Sequence, residues 1–189
     1  MPLTPSTLAA PILLNLVGTA HLGIATPVLA LGVATGITLW MPTVQVISVD
    51  TGTLGVGAGV VPILIVPSVL ITNLTIGFKT FGLLGGMAPL TITGLGLGIS
   101  TGMLLGLATT IHPTVGLGAG VCTFRAPPAA PMMIAGMTNA GMTGPSVAQL
   151  GSAIGMALDL TFATLVLPTP IVGPPSILPG AGAGTGTIV

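Results

Sequence analysis

Few residues in this chain could do chemistry. The 189 residues include four formal charges, Asp50, Lys79, Arg125 and Asp159, together with two histidines, His21 and His112, and a single cysteine, Cys122. The histidines are the groups that titrate nearest neutral pH. A metal site needs three or four converging ligands. Two His, two Asp and one Cys scattered along the chain do not predict one, so no metal and no cofactor is expected. Asp50 precedes Thr51-Gly52, where an aspartate commonly assists a turn. Asp159 falls in an apolar run expected to be helical. A buried charge there must be paired or neutralised, and a buried ion pair between Asp159 and Arg125 is the simplest expectation, with Lys79 as the other available cation. The sharper alternative, a proton or ion relay, would need Asp159 to face a wet channel. No serine has a visible His–carboxylate partnership, so nucleophilic catalysis has no basis. The glycine runs lack the Lys-Ser/Thr of a P-loop and the acidic residue that follows a dinucleotide fingerprint. Asn73-Leu74-Thr75 matches a glycosylation triplet without further support. No enzymatic activity and no small-molecule substrate is expected.

The composition points elsewhere. Charged residues make up 2% of the chain, against about 25% in an ordinary soluble domain. Apolar residues make up 51%, and 30 glycines add to them. A monomer of this size still exposes roughly 30% of its unfolded surface. With so few ions to wet that surface, neighbours other than bulk water are expected to cover it. Disorder requires the reverse composition. Two cations cannot form the basic stripe that nucleic acid demands. One cysteine excludes an intrachain disulfide framework. No Lys or Arg precedes Lys79, so the apolar start is expected to belong to the mature structure and not to a cleaved signal.

The elements that must position these residues come in repeats. Pro5-Ser6-Thr7-Leu8 matches Pro67-Ser68-Val69-Leu70, and Pro27, Gly32 and Gly36 match Pro89, Gly94 and Gly98 at the same spacing. Gly57-Ala58-Gly59-Val60 matches Gly118-Ala119-Gly120-Val121. A looser third copy has Pro145, then Gly151 and Gly155, then Gly180 to Gly184. Three repeats are therefore expected at 1–62, 63–124 and 125–189. Each is read as a helix pair followed by an extended, glycine-rich ribbon, which makes the expected fold α+β, with a pseudo-threefold closure of the repeats preferred to a linear stack. The first helix is expected from Ser6 to about Gly23 and from Ser68 to Gly85, capped by its serine. The second starts at Pro27, Pro89 or Pro145 and runs to about Met41, Ile111 and Leu165. Gly32/Gly36, Gly94/Gly98 and Gly151/Gly155 lie four apart on one helix face, where small residues permit close helix packing. The ribbons are expected over 43–50 with 60–66, over 114–124 and over 160–172. The Pro/Gly-rich tail from Pro174 is not expected to be helical.

Pro89–Ile111 and Pro145–Leu167 reach the length of a bilayer span. Two cations serving six helices cannot orient conventional spans, however, and one Trp with no Tyr makes no interfacial belt. The order Thr51-Gly52-Thr53-Leu54-Gly55-Val56-Gly57-Ala58-Gly59 after a β-branched run resembles small hydrophobic structural proteins of tailed bacteriophages. So does Pro168-Thr169-Pro170-Ile171-Val172-Gly173-Pro174-Pro175. The resemblance implies a virion component, in the tail or baseplate; the composition adds the expectation that its apolar surfaces are buried by other protein chains and can engage the host membrane. It implies no catalytic or binding residue. The competing expectations are an integral membrane helical bundle packed through its GxxxG faces, acting as a pore or carrier, and a filament or shell subunit.

Overall fold

The computed structural model describes residues 4–20, 23–53, 56–60, 63–108, 111–115, 119–120, 122–123, 129–164, 166–167 and 180–187, with side chains described for 4–20, 23–44, 65–102, 104 and 130–161. The chain divides into two compact units. One collects Met1–Trp40, Val66–Met103 and Pro127–Thr161; the other collects Met41–Ile65, Leu104–Ala126 and Phe162–Val189.

The first unit carries six helices: α1 (Pro5–Gly18), α2 (Thr26–Trp40), α3 (Pro67–Thr80), α4 (Ala88–Ala108), α5 (Ala129–Asn139) and α6 (Pro145–Thr164). Of the residues whose side chains are described, 81% are helical and 0% lie in strands. This overturns the expected α+β fold. The body is all-helical, and the glycine-rich ribbons are no part of it. The physical reason is that a run such as Val56-Gly57-Ala58-Gly59-Val60 carries too little side chain to share a core with leucine-rich helices. In the second unit the backbone has extended runs, among them Gln45–Thr53 and Val56–Val60, which pair antiparallel. The ribbon expected to begin at Leu160 fails directly, because α6 continues to Thr164.

The helices obey local rules, with two corrections. Thr4, not Ser6, caps α1. Its hydroxyl accepts from the Thr7 amide at 3.3 Å while the Thr7 hydroxyl accepts from the Thr4 amide at 3.0 Å, a reciprocal capping box that leaves Pro5 in the first turn, where no N–H is needed. Before α3 the capping position is Val66, which makes no side-chain cap, so Ser68 does not act as one either. Pro11 is accommodated within α1.

The three hairpins α1–α2, α3–α4 and α5–α6 turn in the same way. Ala20, Gly82 and Gly141 all have positive φ, at 61°, 71° and 90°. Their amides donate to Val17 O, Lys79 O and Thr138 O at 3.0–3.1 Å. The next helix opens with Thr26, Ala88 and Val147 donating to Gly23 O, Gly85 O and Gly144 O. The spacing in each series is 62 and then 59 residues. That spacing brings buried residues into register as well. Ile12, Leu74 and Met133 correspond, as do Leu16, Phe78 and Met137; so do Val33, Leu95 and Ile154, and Ile37, Ile99 and Leu158. Every one of these is buried, so the three hairpins build the core from the same positions.

Candidate functional site

The helices meet through small residues. A Cβ added to Gly36 in α2 would stand 2.6 Å from Leu74 Cα in α3, and one on Gly32 would stand 3.1 Å from Leu83 Cδ1. From the other side, a Cβ on Gly77 would collide with Gly32 O and lie 2.9 Å from Gly36 N. The same arrangement recurs between α4 and α5. A Cβ on Gly94 would lie 2.5 Å from Met137 Cα, one on Gly98 2.7 Å from Met133 Cα, and one on Gly136 2.5 Å from Gly94 O and 2.6 Å from Gly98 N. Real Cβ atoms do not approach so closely, so backbone lies on backbone at both crossings. Each glycine costs about 1 kcal/mol of helix propensity relative to Ala, and the dispersion contacts of the close approach offset that cost.

The third pair behaves differently. Gly151 and Gly155 face α5, their own hairpin partner: a Cβ on Gly151 would lie 2.7 Å from Ile134 Cγ1, and one on Gly155 would collide with Ala130. In the 59-residue register, Gly155 corresponds to Gly96, whose Cβ would collide with Ile71 of α3, again the hairpin partner. The positions that correspond to Gly94 and Gly98 are Ala153 and Ala157, both fully buried. The sequence alignment on Pro145 and the GxxxG spacing therefore placed the third copy two residues out of register. Sequence reasoning also missed Gly77, Gly96 and Gly136. The equal 59-residue spacing of Gly77–Gly136 and Gly82–Gly141 was the available signal.

Several threonine hydroxyls bond their own helix backbone, whereas the buried Ser100 Oγ in α4 has no hydrogen-bond partner among the described residues. Thr19, Thr38, Thr72, Thr75, Thr80, Thr91, Thr138 and Thr161 each donate a hydroxyl proton to the carbonyl four residues back, at 2.7–3.0 Å. The carboxamides of Asn15 and Asn73 do the same to Pro11 O and Val69 O. These bonds satisfy the hydroxyl without water. Large apolar side chains meanwhile face outward: Leu14 is 73% exposed, Ile24 102%, Leu84 70% and Leu160 61%, with Val17, Ile76, Met87 and Met156 also exposed.

Of the residues considered for chemistry, Asp159 lies partly buried on α6 and Lys79 lies exposed in the last turn of α3. Arg125 and His21 lie outside the described residues, as do the side chains of Asp50, His112 and Cys122, so the expected Asp159–Arg125 pair falls outside them too. Among the described residues no group of three or more His, Cys, Asp or Glu could hold a metal ion. One described segment, Thr26–Thr43, is long and apolar enough to cross a membrane, and half of it is buried within the protein.

These observations define a triplicated helix-hairpin protein packed through glycine and alanine. No protein-family model matches the chain, and no curated protein or solved structure matches it.

Proposed function

We propose that this chain is a non-enzymatic structural component of a larger assembly, a virion part of the tail or baseplate, whose apolar outer surface is covered by other protein chains and can engage a host membrane. The observation that carries this reading is the division of labour on the helices. Threonine and asparagine side chains bond their own helix backbone, while Leu14, Ile24, Leu84 and Leu160 project outward. Covering chains would bury these exposed apolar side chains, and a hydroxyl that donates to its own helix has less need of water. The glycine and alanine crossings suit a scaffold of closely packed helices. The virion assignment itself rests on the resemblance carried by Thr51–Gly59 and Pro168–Pro175.

The test is fractionation of the chain from its native source and after expression alone. A particle component aggregates alone and becomes ordered with its partner chains. An integral bundle instead enters membranes and dissolves in mild detergent, and a filament subunit polymerises unaided. Recovery of a stable monomer in plain buffer would overturn the proposal.

A further inference from the structure

We propose that the strand Gly180–Thr187 is exchangeable: it closes the sheet of its own chain in the isolated molecule and the sheet of a second copy of this chain in the assembly. This exchange rests on the structural-component reading above and names a partner for it.

β1 (Gln45–Thr53) has neighbours on both sides. On one side it pairs with Val56–Val60 and Ile63–Leu64, which follow it directly in the chain. On the other it pairs antiparallel with Gly180–Thr187, through eight positions from Gln45 opposite Thr187 to Gly52 opposite Gly180. This second partner comes from beyond the last helix hairpin. Without it, β1 would be an edge strand, open over 45–52. An open edge is a template for extended backbone, and strand addition to such an edge is driven by main-chain hydrogen bonds.

The composition of the closing strand suits it to being passed between copies. It reads Gly-Ala-Gly-Ala-Gly-Thr-Gly-Thr. Successive positions alternate between faces, so glycine occupies one face throughout. The register partners of those glycines on β1 are Gly52, Asp50, Ser48 and Val46. Glycine weakens a strand because it brings no side chain to pack, so the backbone ladder carries the pairing. That ladder is the same whether it forms within a chain or between two.

The connection allows both. The preceding described strand, Val166–Leu167, pairs with Cys122–Thr123. Twelve residues, 168–179, separate it from the closing strand, and five of them are proline. A hairpin connection takes about 2–5 residues, whereas twelve can reach up to about 40 Å. The occupant follows from the register. The seat on β1 fits this sequence over eight positions, and a second copy supplies an identical seat and an identical strand. Reciprocal exchange leaves no edge open in either molecule. Concentration then decides the outcome, because a short flexible tether holds its strand at an effective concentration on the order of 1 mM. Dilute chains close on themselves, and crowded chains exchange.

The experiment uses two full-length variants in a Cys122→Ser background, Ser48→Cys and Gly184→Cys, whose positions face each other in the register. They carry tags of different size, are mixed in equal amounts, unfolded together, refolded in mild detergent at about 1 mM or about 10 μM, and oxidised. A disulfide-linked heterodimer should form at the higher concentration and fall at least about tenfold at the lower one. One chain carrying both cysteines should link within itself at the lower concentration. Ala181→Pro with Gly182→Pro removes two successive amides, one of which must face β1, and should abolish both links. Gly180→Cys in place of Gly184→Cys is four positions out of register, beyond disulfide reach, and should link little. Circular dichroism matching the parent shows that the helices fold in every variant. An intrachain link without a heterodimer at either concentration overturns the exchange. So does the absence of both links, or a heterodimer that survives the prolines or forms equally with Gly180→Cys. If the chain still becomes ordered with other partner chains in that case, the broader structural reading stands. If it is a stable monomer in plain buffer and shows no exchange, both fail.

Discussion

Replacing Gly36 by alanine is the most direct test of how the helical body is held together. The new Cβ would fall 2.6 Å from Leu74 Cα and 3.0 Å from Leu74 N. Ordinary van der Waals contact lies near 3.5–4.0 Å, so α2 and α3 must separate by about 1 Å. Neither atom can rotate away, because both belong to backbone. Overpacking of this kind costs about 1–3 kcal/mol. Alanine returns up to about 1 kcal/mol through its better helix propensity, which leaves a net loss of up to about 2 kcal/mol. The internal comparison is Gly18→Ala at the end of α1, where an added Cβ meets nothing within 4 Å. There only the propensity gain survives, so stability should rise by a few tenths to about 1 kcal/mol. Opposite signs from one chemical change separate packing from propensity. Thermal unfolding followed by circular dichroism in mild detergent reads both, with Gly36→Ala lowering Tm by up to roughly 8 °C, on the scale of about 2–4 °C per kcal/mol for a chain of this size. If Gly36→Ala proves as stable as Gly18→Ala, the close crossing of α2 and α3 is not what the structure describes.

Three further outcomes follow from named contacts. Gly96→Ala drives its Cβ into the Ile71 side chain, so Ile71→Ala should recover most of its loss, whereas Leu74→Ala should not recover Gly36→Ala; a double-mutant cycle measured by denaturant unfolding decides both. Ala20 occupies a positive φ of 61° where the other hairpins have Gly82 and Gly141, so Ala20→Gly should stabilise by about 1 kcal/mol and Gly82→Ala should destabilise by a similar amount, read as opposite shifts in Tm. Thr4→Ala removes the reciprocal cap of α1 and should cost about 1 kcal/mol, with faster amide exchange confined to the first turn of that helix.

Part of this architecture was legible in the residues. The helix pairs and the closeness of Gly32, Gly36, Gly94 and Gly98 to a neighbouring helix follow from spacing, because small residues four apart occupy one helix face. The fold class did not follow. The β-branched run 44–49 reads as a strand by composition and Gln45–Thr53 is indeed extended, yet the fold class is set by which residues share a core, and the described core is helical. The register of the third hairpin was hidden because alanine replaced glycine at Ala153 and Ala157. Burial preserves the size constraint at those positions but erases the motif that would reveal it. Pro145 offered a misleading anchor, since its counterpart in the second hairpin is Gly86. The contribution of Gly77 and Gly136 is invisible in one helix alone: each is defined by the carbonyl of a partner helix far away in sequence.

The three hairpins share a turn geometry but are joined in one polypeptide. Three identical copies of a hairpin would have to carry any substitution three times or not at all. Covalent fusion lifts that rule. The position occupied by Lys79 is Val17 in the first hairpin and Thr138 in the third, so a single ammonium marks one hairpin of three. The molecule can thus keep the economy of a repeated scaffold while giving itself a preferred direction, a polarity that a self-assembled trimer of equal parts is unable to acquire.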